Sequence, residues 1–232
     1  MPYLEYLPLN LLLIGIHVVV VLAWGKAYGY KWTVFAMSSV VFTVVNVISP
    51  QLDTLLSFSF NSAAGIIANN AYSFIVIRII QWLVRDAFKE GVKWFLFRYV
   101  SLDWKDTVAF GILYSVILSA VTLTRGYIDD GTFPSISLTA VWHFGILVTV
   151  YNVGISLLVM RSANQGKARF FVIAVILSVV FHTTPIYLLV YHSGHSMADI
   201  LFTLSTTIAV IPLVAAIAAI YFLERKGKMS KI

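Results

Sequence analysis

The sequence predicts an all-α polytopic membrane bundle of seven transmembrane helices, with the N-terminus outside and the C-terminus inside. Three observations carry this reading. Of 232 residues, 60% are hydrophobic and 11% charged, with a mean hydropathy of +0.90, whereas a soluble domain carries about 25% charged residues. Apolar stretches of about 20 residues recur, the length a helix needs to cross a hydrocarbon core. These runs are continuous, whereas barrel strands would alternate over segments of roughly 10 residues. Finally, Lys26, Lys31, Arg98, Lys105, Arg161, Lys167, Arg169, Arg225, Lys226, Lys228 and Lys231 fall on one side under this topology, against Arg125 in the opposite loops. Such an excess marks the cytoplasmic face.

The spans follow in order. The first runs from Leu7 to Trp24, and a short loop with Lys26 and Lys31 follows. The second runs from Thr33 to Ile48 and is expected to stop before Pro50, because proline removes a helical hydrogen bond. Gln51 to Asn70 is half-polar, with Asp53, Asn61, Asn69 and Asn70. If it crossed the membrane, the later basic loops would change sides and the charge bias would collapse. It therefore reads as re-entrant, interfacial or the outer part of the third span, which includes Ala71 to Arg98. The fourth span is Thr107 to Thr124, followed by a turn-rich loop from Arg125 to Pro134. Ser135 to Met160, Phe170 to Tyr191 and Ala198 to Leu223 complete the set.

Residues 1–232 read as a single integral domain, multi-pass in the cell membrane, with membrane lipid and other membrane proteins as partners. The net charge of +6 belongs to topogenic loops, so no nucleic acid is expected. The absence of cysteine excludes disulfides, thiolate metal sites and a cysteine nucleophile. No metal or cofactor is expected. His192 and His195, near Asp199, offer too few ligands for a metal. His17 and His143 lie in separate spans without haem-like spacing. Gln is scarce and Ile, Val and Tyr are abundant, a composition that leans toward a thermophilic source. The N-terminal Met-Pro-Tyr-Leu-Glu-Tyr lacks a basic region, so the first helix is expected to be retained. Gly111 and Gly154 mark close helix packing.

The third span is unusual. Between Arg78 and Arg98 it carries Arg85, Asp86, Lys89, Glu90 and Lys93. Its beginning, Ala71 to Val84, which holds Arg78 alone of these charges, is only about 21 Å long, too short for a core of about 30 Å. On a helical wheel Arg78, Arg85, Lys89 and Lys93 form one stripe and Asp86 and Glu90 a second. Ile77, Ile80, Val84, Phe88, Gly91 and Phe95 lie opposite. Asp86–Lys89 and Glu90–Lys93 are spaced to pair. Two readings follow. The helix is amphipathic, with lysines snorkelling to the inner interface, or it lines a polar pocket with Glu90 as acid or base.

Two other intramembrane polar positions stand out. His182 precedes Thr183-Thr184-Pro185, where a proline can kink the helix and threonines can satisfy the freed backbone groups. Asn152 places a buried amide in the fifth span. No Ser/His/Asp set, HExxH or glycine-rich phosphate loop is present.

From about Asn70 to Tyr191 this order of features resembles the YhfC-like membrane proteins. They belong to the glutamic-type intramembrane protease superfamily, with the CAAX-processing and PrsW-type proteases. Phe88-Lys89-Glu90-Gly91-Val92-Lys93-Trp94 occupies the place of a Phe-Glu-Glu-x-x-Arg-Tyr motif. Trp104-Lys105-Asp106 and then Gly111 to Ser115 stand where a Gly-x-Gly-His-Gly type helix begins. Tyr151-Asn152 and Phe181-His182 match two His-bearing helices. Of the polar catalytic positions, Glu90 and His182 keep the family residue. Lys89 replaces a Glu, Lys93 an Arg, Tyr114 and Asn152 each a His, Leu118 a Glu and Ile186 an acid. The resemblance implies Glu90 and His182 as catalytic candidates, Tyr114 and Asn152 as oxyanion donors, and Lys93 as the ion-pair partner of Glu90. It also implies a protein whose fold is kept and whose proteolysis is lost, acting as a scaffold or binding subunit. The alternatives are an active intramembrane endopeptidase using Glu90 and His182, and a subunit of a membrane transport or redox complex.

Overall fold

The computed structural model describes residues 7–29, 31–64, 71–100, 102–130, 141–192, 204, 207–211, 213–215 and 217–218. Its helices are α1 (Leu7–Tyr28), α2 (Trp32–Ala64), α3 (Ala71–Val100), α4 (Trp104–Asp130), α5 (Val148–Gln165) and α6 (Ala168–His192), with a π-helical turn (His143–Leu147) leading into α5. Residues 207–211, 213–215 and 217–218 are also helical. The all-helical expectation holds.

Among the described residues four helices are long and apolar enough to cross a membrane: Pro8–Tyr28, Trp32–Leu56, Trp104–Val121 and Gly145–Gln165. The chain is a multi-pass helical membrane protein, with four such helices in place of the expected seven spans. α3 has the length but carries too many charges, and the apolar part of α6, Ala168–Thr183, is shorter. Most of the expected seventh span, the basic tail, and the loop residues His195 and Asp199 lie outside the described residues.

Pro50 does not end the second helix, which continues to Ala64. Polar side chains bracket the proline: Asn46 donates to the Phe42 carbonyl at 2.8 Å, and Thr54 donates to the Pro50 carbonyl at 2.8 Å. Neither bond reaches the Asn46 carbonyl that the proline leaves without its helical donor, so the helix runs on across one open backbone position. Residues 51–64 therefore extend α2, so they are neither a separate interfacial piece nor the start of α3. Similarly, α4 stays helical through Asp130, so the first six residues of the expected loop from Arg125 are helix. Pro185 likewise leaves the backbone of α6 helical to His192.

α5 is the centre of the bundle. It packs on α3, α4 and α6, while α2 packs on α3 and α4. The core contains Val41, Phe97, Phe110, Ile155 and Val159, all fully buried. The glycines set the closest approaches. A Cβ on Gly111 would stand 2.6 Å from the Val153 backbone, and one on Gly154 would stand 2.8 Å from Ile217 and 2.9 Å from Leu213. Gly111 thus lets α4 and α5 meet backbone to backbone, the packing expected where lipid removes the hydrophobic drive between helices. Gly166, at φ 63°, ends α5 in a left-handed turn, a conformation that glycine adopts at no steric cost. The Arg98 guanidinium donates to the Ala163 carbonyl nearby at 3.0 Å.

Candidate functional site

The charged face of α3 turns into the bundle. Asp86, Lys89, Glu90 and Lys93 are all buried, while Val76, Ile79, Leu83 and Phe95 are exposed. The expectation of lysines snorkelling to an interface is therefore corrected. In lipid the polar stripe is the one that must be hidden, and α5 and α6 cover it.

The network builds outward from the helix. Spacing of three residues brings the Lys89 ammonium to Asp86 at 3.0 Å and the Lys93 ammonium to Glu90 at 3.1 Å. Lys89 also lies 3.4 Å from Glu90, which joins the two pairs. Neighbouring helices supply the rest. Lys89 donates to the Tyr151 hydroxyl on α5 at 3.0 Å and to the Ser178 hydroxyl on α6 at 3.4 Å. Those two hydroxyls touch each other. An ammonium has three protons to give, and Lys89 has four oxygen partners around it. It is the hub of the site.

His182 closes one end. Its Nδ1 donates to the second Asp86 oxygen at 2.9 Å. The ring stacks on Trp82 at 4.4 Å, nearly parallel, and meets Tyr151 edge-on. Its side chain is 22% exposed, against 1% for Asp86. The Arg85 guanidinium stands 4.9 Å from the Trp82 ring. Lys93 closes the deep end, fully buried, with its ammonium 5.1 Å from the Tyr114 ring centre. That ring is itself held by Phe42 and Phe110.

The residues singled out from sequence are thus placed in three ways. Glu90, Lys93 and Tyr114 come together directly. His182 reaches Glu90 only through Asp86 and Lys89. Asn152 is turned away, its amide nitrogen donating to Ser115 on α4 at 3.0 Å. Asp86, Lys89, Tyr151, Ser178 and Trp82 join the site in addition to the residues expected from sequence. The i,i+3 spacing of Asp86 and Lys89 was visible, but nothing local in the sequence tied that pair to His182 or to Ser178.

Two carboxylates balance two ammonium groups, with a histidine at the end. Buried charge of this kind is tolerated only when paired and hydrogen-bonded. Among the described residues no group of three or more His, Asp or Glu side chains could hold a metal ion. Chemically, the arrangement can hold α3, α5 and α6 in one register, and it can pass a proton between adjacent members. A water-activating base would need open space at its carboxylate, and Glu90 is fully buried between two lysines.

Fold and site together define a multi-pass helical membrane protein with an internal, charge-balanced network. No family model matches the chain, and comparison with curated proteins and with solved structures finds no match.

Proposed function

We propose that this chain is a catalytically degenerate relative of the glutamic-type intramembrane proteases, acting as a scaffold or binding subunit for another membrane protein or a lipid-embedded partner. In this reading it is a multi-pass protein of the cell membrane with its N-terminus outside. One observation carries the non-proteolytic assignment: Glu90 is fully buried and held by Lys93 at 3.1 Å and Lys89 at 3.4 Å. The carboxylate has no exposed surface although its Oε2 accepts no hydrogen bond, and a general base must reach a water. Asn152, which stands where the family pattern has a His, donates one amide hydrogen to Ser115 at 3.0 Å.

The test uses the full chain purified in mild detergent. A membrane protein should copurify in stoichiometric amount, and transmembrane peptides incubated with the chain should stay intact by mass spectrometry. Cleavage that Glu90→Gln abolishes would establish the active endopeptidase instead.

A second reading has its own support. The links from partly exposed His182 through Asp86 and Lys89 to Glu90 are continuous, at 2.9, 3.0 and 3.4 Å. Chains of this kind carry protons in transport proteins. A proton flux in vesicles holding the pure chain, lost in Asp86→Asn, would favour that reading. A Soret band would favour a redox subunit.

A further inference from the structure

Away from the charge network, a groove of about 530 Å³ opens between α1, α2 and α4. It exists because α1 packs on α4 and on the π-helical turn and stands clear of α2. Its shaft is apolar, walled by Val18, Val21, Leu113 and Val116, and it reaches as far as His17 on α1. From His17 to Tyr28 the helix axis rises about 16 Å. That is about half of a hydrocarbon core of about 30 Å, the depth of one leaflet.

The mouth is different in chemistry. Trp24, Tyr28 and Trp104 cluster there, with ring centres 4.4 to 6.4 Å apart. Trp and Tyr favour the headgroup level of a bilayer, so the mouth sits at an interface and the shaft points into the core. Its charges are sorted. Asp106 is taken by Lys31 at 2.6 Å, and Asp103 accepts the Asp106 backbone N–H at 2.7 Å. Lys105 is seated on aromatic faces, 5.1 Å from the Tyr28 ring and 5.8 Å from the Trp104 ring. Lys31 neutralises Asp106, Asp103 keeps its charge beside one backbone N–H, and Lys105 is the cation seated on the aromatic rim above an apolar shaft one leaflet deep.

We propose that this groove binds one phospholipid, its acyl chain lying between α1 and α4 and its phosphodiester against Lys105. The length of the shaft selects a chain of one leaflet, and the cation at the mouth selects the phosphate. This site is independent of the α3 network and of the function proposed for it.

The full chain, stripped of lipid by repeated detergent exchange, is titrated with dioleoyl phosphatidylglycerol and examined by native mass spectrometry. One lipid should be retained at low occupancy of all others. Val21→Trp, which fills the shaft, and Lys105→Glu, which reverses the mouth, should each lower retention tenfold or more. Val172→Trp, on the exposed face of α6, should leave it unchanged. Glycerol phosphate, which has the phosphate without the chain, should not compete. Retention unaffected by Val21→Trp, or displacement by glycerol phosphate, would overturn the proposal. Should either variant fail to fold, photolabelling of the unaltered chain decides. Phosphatidylglycerol with a diazirine in its acyl chain should mark Val18, Val21 and Leu113. Label spread evenly over exposed Val172, Ile176 and Ile211 would contradict it.

Discussion

Two ion pairs in this protein have the same chemistry and opposite consequences. Lys31 and Asp106 are 2.6 Å apart, and the lysine side chain is 53% exposed. Lys93 and Glu90 are 3.1 Å apart and have no exposure at all. The shorter pair matters less. At the surface water screens the attraction and can replace either partner. Inside the bundle water cannot replace a lost partner: removing Glu90 leaves the buried Lys93 charge unpaired, and removing Lys93 leaves Glu90 to Lys89 at 3.4 Å. Distance ranks these pairs wrongly, and environment ranks them correctly.

The largest effect should come from the hub. Lys89→Ala removes the ammonium from Asp86, Glu90, Tyr151 and Ser178 together, and should cost about 3–5 kcal/mol in unfolding by denaturing detergent. A loss under about 1 kcal/mol would place Lys89 on the surface side of the comparison. Next comes a change with no charge in it. Gly111→Val forces a side chain against the Val153 backbone and should cost about 1–3 kcal/mol or more, read in the same assay. It calibrates how much of the core's stability is packing and how much is pairing. His182→Phe keeps the ring on Trp82 and removes one hydrogen bond to a charged partner. It should cost about 1.5–3 kcal/mol, less than Lys89→Ala because Asp86 keeps its lysine.

Lys31→Gln should have the smallest effect, with no resolvable change in thermal midpoint at physiological salt. The Asp106 carboxylate, by hydrogen bond, holds the Lys31 ammonium above the usual lysine range. A raised value means that the pair's contribution is complete at neutral pH and disappears only as strongly alkaline pH removes the proton. Lys31→Gln should therefore differ from the parent equally at pH 6 and pH 8. A difference that appears between those values would point to a group other than Lys31.

Much of the fold was legible because lipid imposes a simple rule: long apolar runs are helices. Gly111 and Gly154 could be read as contact points for the same reason, since bilayers bring helices together at small residues. Pro50 does not stop α2, because the rule that proline ends a helix comes from water and membrane helices tolerate it. The charges of α3 were visible, and so was their grouping into a stripe. A wheel shows which residues share a face and says nothing of what that face meets. Asp86–Lys89 and Glu90–Lys93 were readable as local pairs. Tyr151, Ser178 and the link from Asp86 to His182 were not, because those contacts span 27 to 96 residues of sequence.

In the proposed scaffold, Glu90 serves as the ion-pair partner of Lys93 at 3.1 Å and not as a base kept free for water. A double-mutant cycle measures this directly, using Glu90→Gln, Lys93→Met and the two combined, unfolded in the same membrane mimic. Each single change should be strongly destabilising, and the double variant should recover more than about 2 kcal/mol of their summed loss. Additive effects, with Glu90→Gln neutral or stabilising as expected of an active-site base, would contradict that role.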